Sequence, residues 1–187
     1  MRTLMIRSVQ VAVVVVLVAV GYQAYRAQRE ASAAAASLGT NLVLGPAGIA
    51  RIRLGMTAAE ASATGNIRYQ PVWPTAGERN CAILMTEDAV FHFSRTFGLA
   101  IITAPDAVRT PEGIGAGATI AQVRAAYPKV HQLDVGTADL PVRVAGRYAA
   151  PVPGNAAASY RFVFDADRVR FVSLVLDDQG EECTAGK

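Results

Sequence analysis

The stretch TPEGIGAGATIAQVRAAYP, residues 110–128, places Gly113, Gly115 and Gly117 two positions apart, just ahead of a short helical pattern. It reads either as a phosphate-cradling loop or as the way into a helix. A dinucleotide fingerprint needs G-x-G-x-x-G after a strand, with an acidic residue about 20 positions on. Here the third glycine comes one position early, no P-loop lysine is present, and the helix is too short for a βαβ crossover. The glycines therefore serve chain geometry, with some amides left for an anion. The helix itself starts at Thr119. Gln122 follows three positions later, the spacing of a capping box, and Pro128 stops the helix.

The same start is written upstream in RIRLGMTAAEASATG, residues 51–65. With Gly55 aligned on Gly117, G-M-T-A-A-E-A faces G-A-T-I-A-Q-V, and Thr57 with Glu60 forms a second capping box. Gly65 ends that helix. After each helix comes a Pro/Gly-rich stretch and then alternating apolar sequence. CAILMTEDAVFHFS (81–94) leads to GLAIITA (98–104), and SYRFVF (159–164) and RVRFVSLVL (168–176) flank the turn Asp165-Ala166-Asp167. Phe91 and Phe93 share a face, as do Tyr160, Phe162 and Phe164. The spacing predicts an α+β fold: two helix–hairpin repeats, at about 43–104 and 108–183, offset by 62 residues. Together they make one antiparallel sheet with short helices on one face.

These residues carry a resemblance. Two tandem G-x-T-x-x-E/Q helix starts with hairpins after them resemble the β-lactamase inhibitory protein and BamE (SmpA/OmlA) group. The pattern R-T-P-E-G-I-G with a late Y-R-F strand is most similar to a set of actinobacterial envelope proteins. The resemblance covers about residues 43–183 and implies a non-enzymatic module that binds proteins through an open sheet face. This sequence departs from the pattern in lacking a lipid-bearing cysteine and in placing one cysteine in each half. No inhibitor or assembly contact transfers to a matching position.

The hydrophobic share is 52% and the mean hydropathy +0.27, and much of that excess lies in VQVAVVVVLVAVGYQAY, residues 9–25. Seventeen positions approach the minimum for a bilayer-crossing helix, with Tyr22, Tyr25, Arg26 and Arg29 placed for the interface. The organisation expected is a cytoplasmic stretch 1–8, an anchor 9–25, a spacer 26–40 and an extracytoplasmic domain 41–187. The competing reading, a cleaved signal peptide, would make the domain secreted; Tyr22 and Tyr25 spoil the cleavage sites nearest the apolar run. The net charge of +3 belongs to this end, because residues 37–187 hold 14 basic and 14 acidic side chains. Such a neutral domain offers no footprint for nucleic acid. Cys81 and Cys183, an even pair in an exported domain, are expected to form a disulfide, the alternative being two buried thiols.

Catalytic signatures are missing. No G-x-S-x-G, H-E-x-x-H or S-x-x-K occurs, and two histidines, His92 and His131, are too few for a metal cluster. Neither a catalytic residue nor a cofactor or metal site is expected. His92 alternates with Phe91 and Phe93 and so is read as facing solvent from the wetter side of its strand. Asp165 and Asp167 read as a turn, and Asp177, Asp178, Glu181 and Glu182 as a solvated acidic end. Arg161 and Arg170 are expected side by side on the exposed sheet face, where they recognise an acidic partner or guard an edge. The function expected is a membrane-anchored, non-catalytic binding module whose partner is another envelope protein or a ligand. The alternatives are an enzyme inhibitor and a small envelope hydrolase, the latter requiring His92 to meet an acidic or hydroxyl side chain in a cleft.

Overall fold

Around two tight turns of LVLGPAGIARIR, the second left-handed at Ala50, the chain makes three two-residue strands: β1 (Leu44–Gly45), β2 (Gly48–Ile49) and β3 (Ile52–Arg53), paired in the order β1-β2-β3. The computed structural model describes residues 42–67, 71, 73, 81–86, 89–133, 146–179 and 183, all within the compact unit Leu38–Lys187. The expected cytoplasmic stretch 1–8, anchor 9–25 and spacer 26–40 lie outside the described residues, as do Glu181 and Glu182. Among the described residues no helix is long and apolar enough to cross a membrane.

Seven antiparallel strands form the main sheet. They are β4 (Cys81–Met85), β5 (Val90–Ser94), β6 (Gly98–Thr103), β7 (His131–Gln132), β8 (Gly146–Val152), β9 (Asn155–Asp165) and β10 (Arg168–Leu176), in spatial order β4-β5-β6-β10-β9-β8-β7. Two meanders therefore meet where β6 pairs β10, with Thr103 opposite Ser173 and Ile101 opposite Val175. Helix α1 (Ala58–Ala63) precedes the first meander and α2 (Ile120–Ala126) the second. Both are far below the length at which a helix is stable alone. Each is held by its cap and by one buried side chain, Ala61 and Val123.

The α+β expectation of two helix–hairpin repeats is corrected: among the described residues the fold is mostly β, with a seven-stranded and a three-stranded antiparallel sheet and only two α-helices. One ribbon has three strands and the other four, and a separate small sheet comes before both. The reason is local. Two-residue strands have too few positions to show a period, and Gly146-Arg147-Tyr148-Ala149-Ala150-Pro151-Val152 hides β8 behind a proline. β7 covers β8 only at Tyr148 and Ala149, so from Ala150 onward β8 has no described outer neighbour. A proline that donates nothing to the ladder is tolerated there.

Alternation sorts the sheet into two faces. On the inner face Phe91, Phe93, Ile102, Tyr160, Phe162, Phe164 and Leu174 pack with Leu44, Ile49, Ile52, Ala61 and Val123 in one cluster. The Tyr127 ring, just past α2, lies 5.6 Å from Tyr160 and 5.5 Å from Phe162. Tyr160 is fully buried, and its hydroxyl donates to the Leu44 carbonyl at 2.8 Å, which ties β9 to the small sheet. Each buried aromatic stabilises by about 1.5–3 kcal/mol through removal of apolar surface from water.

Both helix starts dock on strands in the same manner. Gly55 N–H donates to Leu99 O while Leu99 N–H donates to Met56 O, and Gly117 N–H donates to Val169 O while Val169 N–H donates to Ala118 O. At Gly98 the backbone is left-handed (φ 67°) and a Cβ would collide with the Gly55 carbonyl, so glycine is required.

Candidate functional site

The outer face begins as a continuation of the ladder. One row of paired residues runs His131, Ala149, Arg161, Ser173, Thr103, Val90 and Met85; the next runs Pro151, Ser159, Val175, Ile101, His92 and Ile83. Small side chains on either side of Arg161, Ala149 and Ser173, leave a depression around its guanidinium. The Ser173 hydroxyl is engaged with Thr103 Oγ1 at 2.8 Å.

A cleft of about 380 Å³ opens at the β7–β8–β9 end of this face, lined by His131, Leu133, Ala149, Pro151, Ala156, Ala158, Ser159, Arg161 and Asp177. That volume suits a small ligand or a few residues of a peptide. Its anchor is the half-buried Arg161, whose Nε is shut off from solvent with no hydrogen-bond acceptor. Arg147, which does not line the cleft, sits two positions before Ala149 on β8, opposite Val163, and its Nε is likewise buried without an acceptor among the described residues. Ala149 is opposite Arg161, so the two arginines are diagonal neighbours on adjacent strands, a separation that long side chains span. Among the described residues no ion pair joins Arg161 to Asp177, and Ser159 Oγ donates to Asp177 Oδ1 at 2.7 Å. That carboxylate stands in the 3₁₀ turn Asp177–Gln179 directly after β10.

The bond from the Ser159 hydroxyl orients the Asp177 side chain at the cleft.

The other expected positions fall elsewhere. Arg170 occupies the bulge between Val169 and Phe171 and pairs with Asp165 at 3.7 Å, so it is not beside Arg161, which lies opposite Ser173. Asp167 pairs with Arg168 at 3.8 Å, which leaves the Asp165–Asp167 turn occupied with its own arginines. His92 is not solvent-facing. It stands between Ile83 and Ile101, its Nδ1 is buried without a partner, and burial pulls its imidazole below the ordinary 6.5 against an opposing hydrogen bond with the Cys183 backbone. Cys183 packs on Ala100, Ile101 and Val175 and is bridged to Cys81 over a separation of 102 residues, with Cα atoms 5.5 Å apart. Gln179, buried under this turn, accepts from Cys183 N–H at 3.0 Å.

Thr57 and Thr119 both make the full capping box, with Glu60 and Gln122 returning to the cap amides at 2.8 Å. The glycine loop between them is internally satisfied. Gly113 N–H donates to Thr110 O, Ile114 N–H to Thr110 Oγ1 and Gly117 N–H to Val169 O, so these amides are not free for phosphate. Nearby, the Tyr127 hydroxyl donates to Glu112, and burial followed by that bond raises the phenol's pKa; burial does the same to Tyr160. Both phenols therefore stay protonated as donors. Among the described residues no group of three or more His, Cys, Asp or Glu side chains is placed to hold a metal.

Ser159 and Asp177 are the site residues that sequence reasoning missed, Asp177 having been read as part of a solvated acidic end. The available signal was the i, i+2 spacing of Ser159 and Arg161 around Tyr160, which puts both on the face opposite the core. Arg147 was hidden with its strand. Compared with known proteins, the chain matches no protein-family model, no curated protein and no solved structure. The resemblance to the β-lactamase inhibitory protein and BamE group finds no support among them.

Proposed function

We propose that this chain is a non-catalytic binding module at the cell envelope. Residues 9–25 serve as its anchor, its folded part stands outside the cytoplasm, and its recognition surface is the outer-face cleft at Arg161. The observation that carries the reading is Arg161, which lines the open cleft and whose buried Nε–H has no acceptor among the described residues. A buried donor left unsatisfied costs about 1–3 kcal/mol, which a folded domain accepts where a partner supplies the acceptor. The Cys81–Cys183 bridge supports a place outside the reducing cytoplasm.

The test is capture of envelope proteins by the full-length chain and by an R161Q variant, compared by quantitative mass spectrometry. The module predicts at least one partner enriched by the native chain and lost by the variant. Identical capture profiles, with both proteins equally stable, would remove the cleft as the recognition surface.

A further inference from the structure

The two ends of the seven-stranded sheet are closed differently. At one end β7 is only His131–Gln132, too short to template another strand. At the other, β4 (Cys81–Met85) has five residues, no charge and no proline, and it pairs β5 without a register shift. Charge, proline, a bulge or brevity keep a sheet edge from accepting a further strand, and β4 has none of them. Among the described residues no strand lies on its outer side.

The hairpin fixes which backbone groups face that open side. Thr86 N–H donates to Ala89 O, and hydrogen-bonded pairs alternate along the ladder from there. Leu84 and Ala82 therefore bond β5, while Met85, Ile83 and Cys81 direct their N–H and C=O groups away from it. The side chains of Ile83 and Met85 are 46% and 73% exposed, which leaves apolar surface in water along the same edge.

We infer that β4 pairs antiparallel with β4 of a second copy, about a two-fold axis at Ile83, and so joins two sheets into one. The strand's own pattern selects this occupant. With the axis at Ile83 the outward-facing residues meet one another: Ile83 lies opposite its counterpart, and Cys81 opposite Met85 in both directions. No other antiparallel register pairs all five residues. It sets the exposed Ile83 and Met85 side chains against apolar neighbours, with no charge on either strand to oppose them. Residues 37–187 carry equal numbers of basic and acidic side chains, so two copies have no net repulsion to overcome. One strand pair belongs with the small interfaces, below about 1,200 Å², and the dimer is therefore reversible. The contact is separate from the Arg161 cleft at the β7–β8–β9 end of the sheet.

The test follows the full-length chain in detergent micelles by sedimentation equilibrium and by thiol cross-linking. The native chain should dimerise as its concentration rises. Ile83→Lys and Met85→Lys should each weaken the dimer tenfold or more and leave the melting temperature unchanged, because a lysine on an open edge disturbs no contact of the monomer. Ile83→Cys sets two thiols across the axis with Cα atoms about 5.5 Å apart, within the reach of a disulfide. Mild oxidation should give a covalent dimer, with peptide mapping joining the two introduced thiols. Val43→Cys, at a site equally exposed but on no sheet edge of the pair, should give none. A chain that stays monomeric to its solubility limit overturns the inference. So does a dimer that both lysine variants leave intact, or equal cross-linking from the two cysteine variants, since either places the association elsewhere. A monomer whose Ile83→Lys variant loses a captured envelope protein assigns the edge to a foreign strand and overturns the second copy as well. None of these outcomes bears on the cleft, whose own test is the R161Q variant.

Discussion

The two faces of the seven-stranded sheet come from the same strands and differ in almost every respect. On the inner face buried aromatic rings pack on one another, and the deepest polar group, the Tyr160 hydroxyl, has an acceptor in Leu44. Among the described residues the outer face, with the turn that covers it, has a small apolar cluster under Cys183, one hydroxyl pair, one hydroxyl–carboxylate bond, and four buried nitrogens without partners: His92 Nδ1, Arg147 Nε, Arg161 Nε and Gln179 Nε2. A period of two sends successive residues to opposite sides, so β9 places Tyr160 and Phe162 inside and Ser159 and Arg161 outside. One face holds the fold together. The other departs from full polar satisfaction in the way a recognition surface does.

The largest change expected from breaking this contrast is on the inner face. Phe162→Ala removes a fully buried ring against Tyr127 and should lower the unfolding free energy by about 3–5 kcal/mol in urea denaturation. A loss below 1 kcal/mol would mean that the inner face is not the core. Next comes the strap across the outer face. Paired substitution of Cys81 and Cys183 by serine releases a loop of 102 residues, with a loss of about 2–5 kcal/mol expected from the lower denaturation midpoint. An unchanged midpoint would show that the bridge does not restrain the unfolded chain.

The His92 prediction concerns pH. Its folded pKa lies below 6.5, so the neutral imidazole belongs to the folded state. Above pH 6.5 the group is neutral in both states and adds no pH dependence. As pH falls below 6.5 the unfolded chain takes up a proton that the folded one resists, and stability drops. Melting temperatures measured from pH 7.5 down to the carboxylate range should show this limb in the native protein and a flatter one in His92→Gln. Equal slopes would place His92 in water. No loss of stability is expected for Arg161→Gln, and a gain of about 1 kcal/mol is allowed, because the change removes a buried donor that has no acceptor among the described residues. A loss of 2 kcal/mol or more would turn Arg161 from a recognition group into a structural one.

What could be read from the chain was whatever neighbours in sequence decide. Thr57 with Glu60 and Thr119 with Gln122 announce helix starts because a cap is completed within four residues. The Asp165-Ala166-Asp167 turn is legible for the same reason. The likeness of the two helix starts was real in their caps and in the paired hydrogen bonds of Gly55 and Gly117, but it did not extend to the ribbons behind them. β1–β3 were illegible because two-residue strands have no period, and β8 because Pro151 argues against a strand until the lack of a described neighbour on its outer side is known.

Sequence alone determined where the caps, turns and alternating stretches lie and which residues oppose the core, since local hydrogen bonds and a period of two require no distant partner. Tertiary structure decided the β6–β10 junction, the drawing of Cys183 over His92, and the gathering of Ser159, Arg161 and Asp177 at one cleft. Those depend on strand register between segments far apart in the chain, and a one-residue slip would reverse every face.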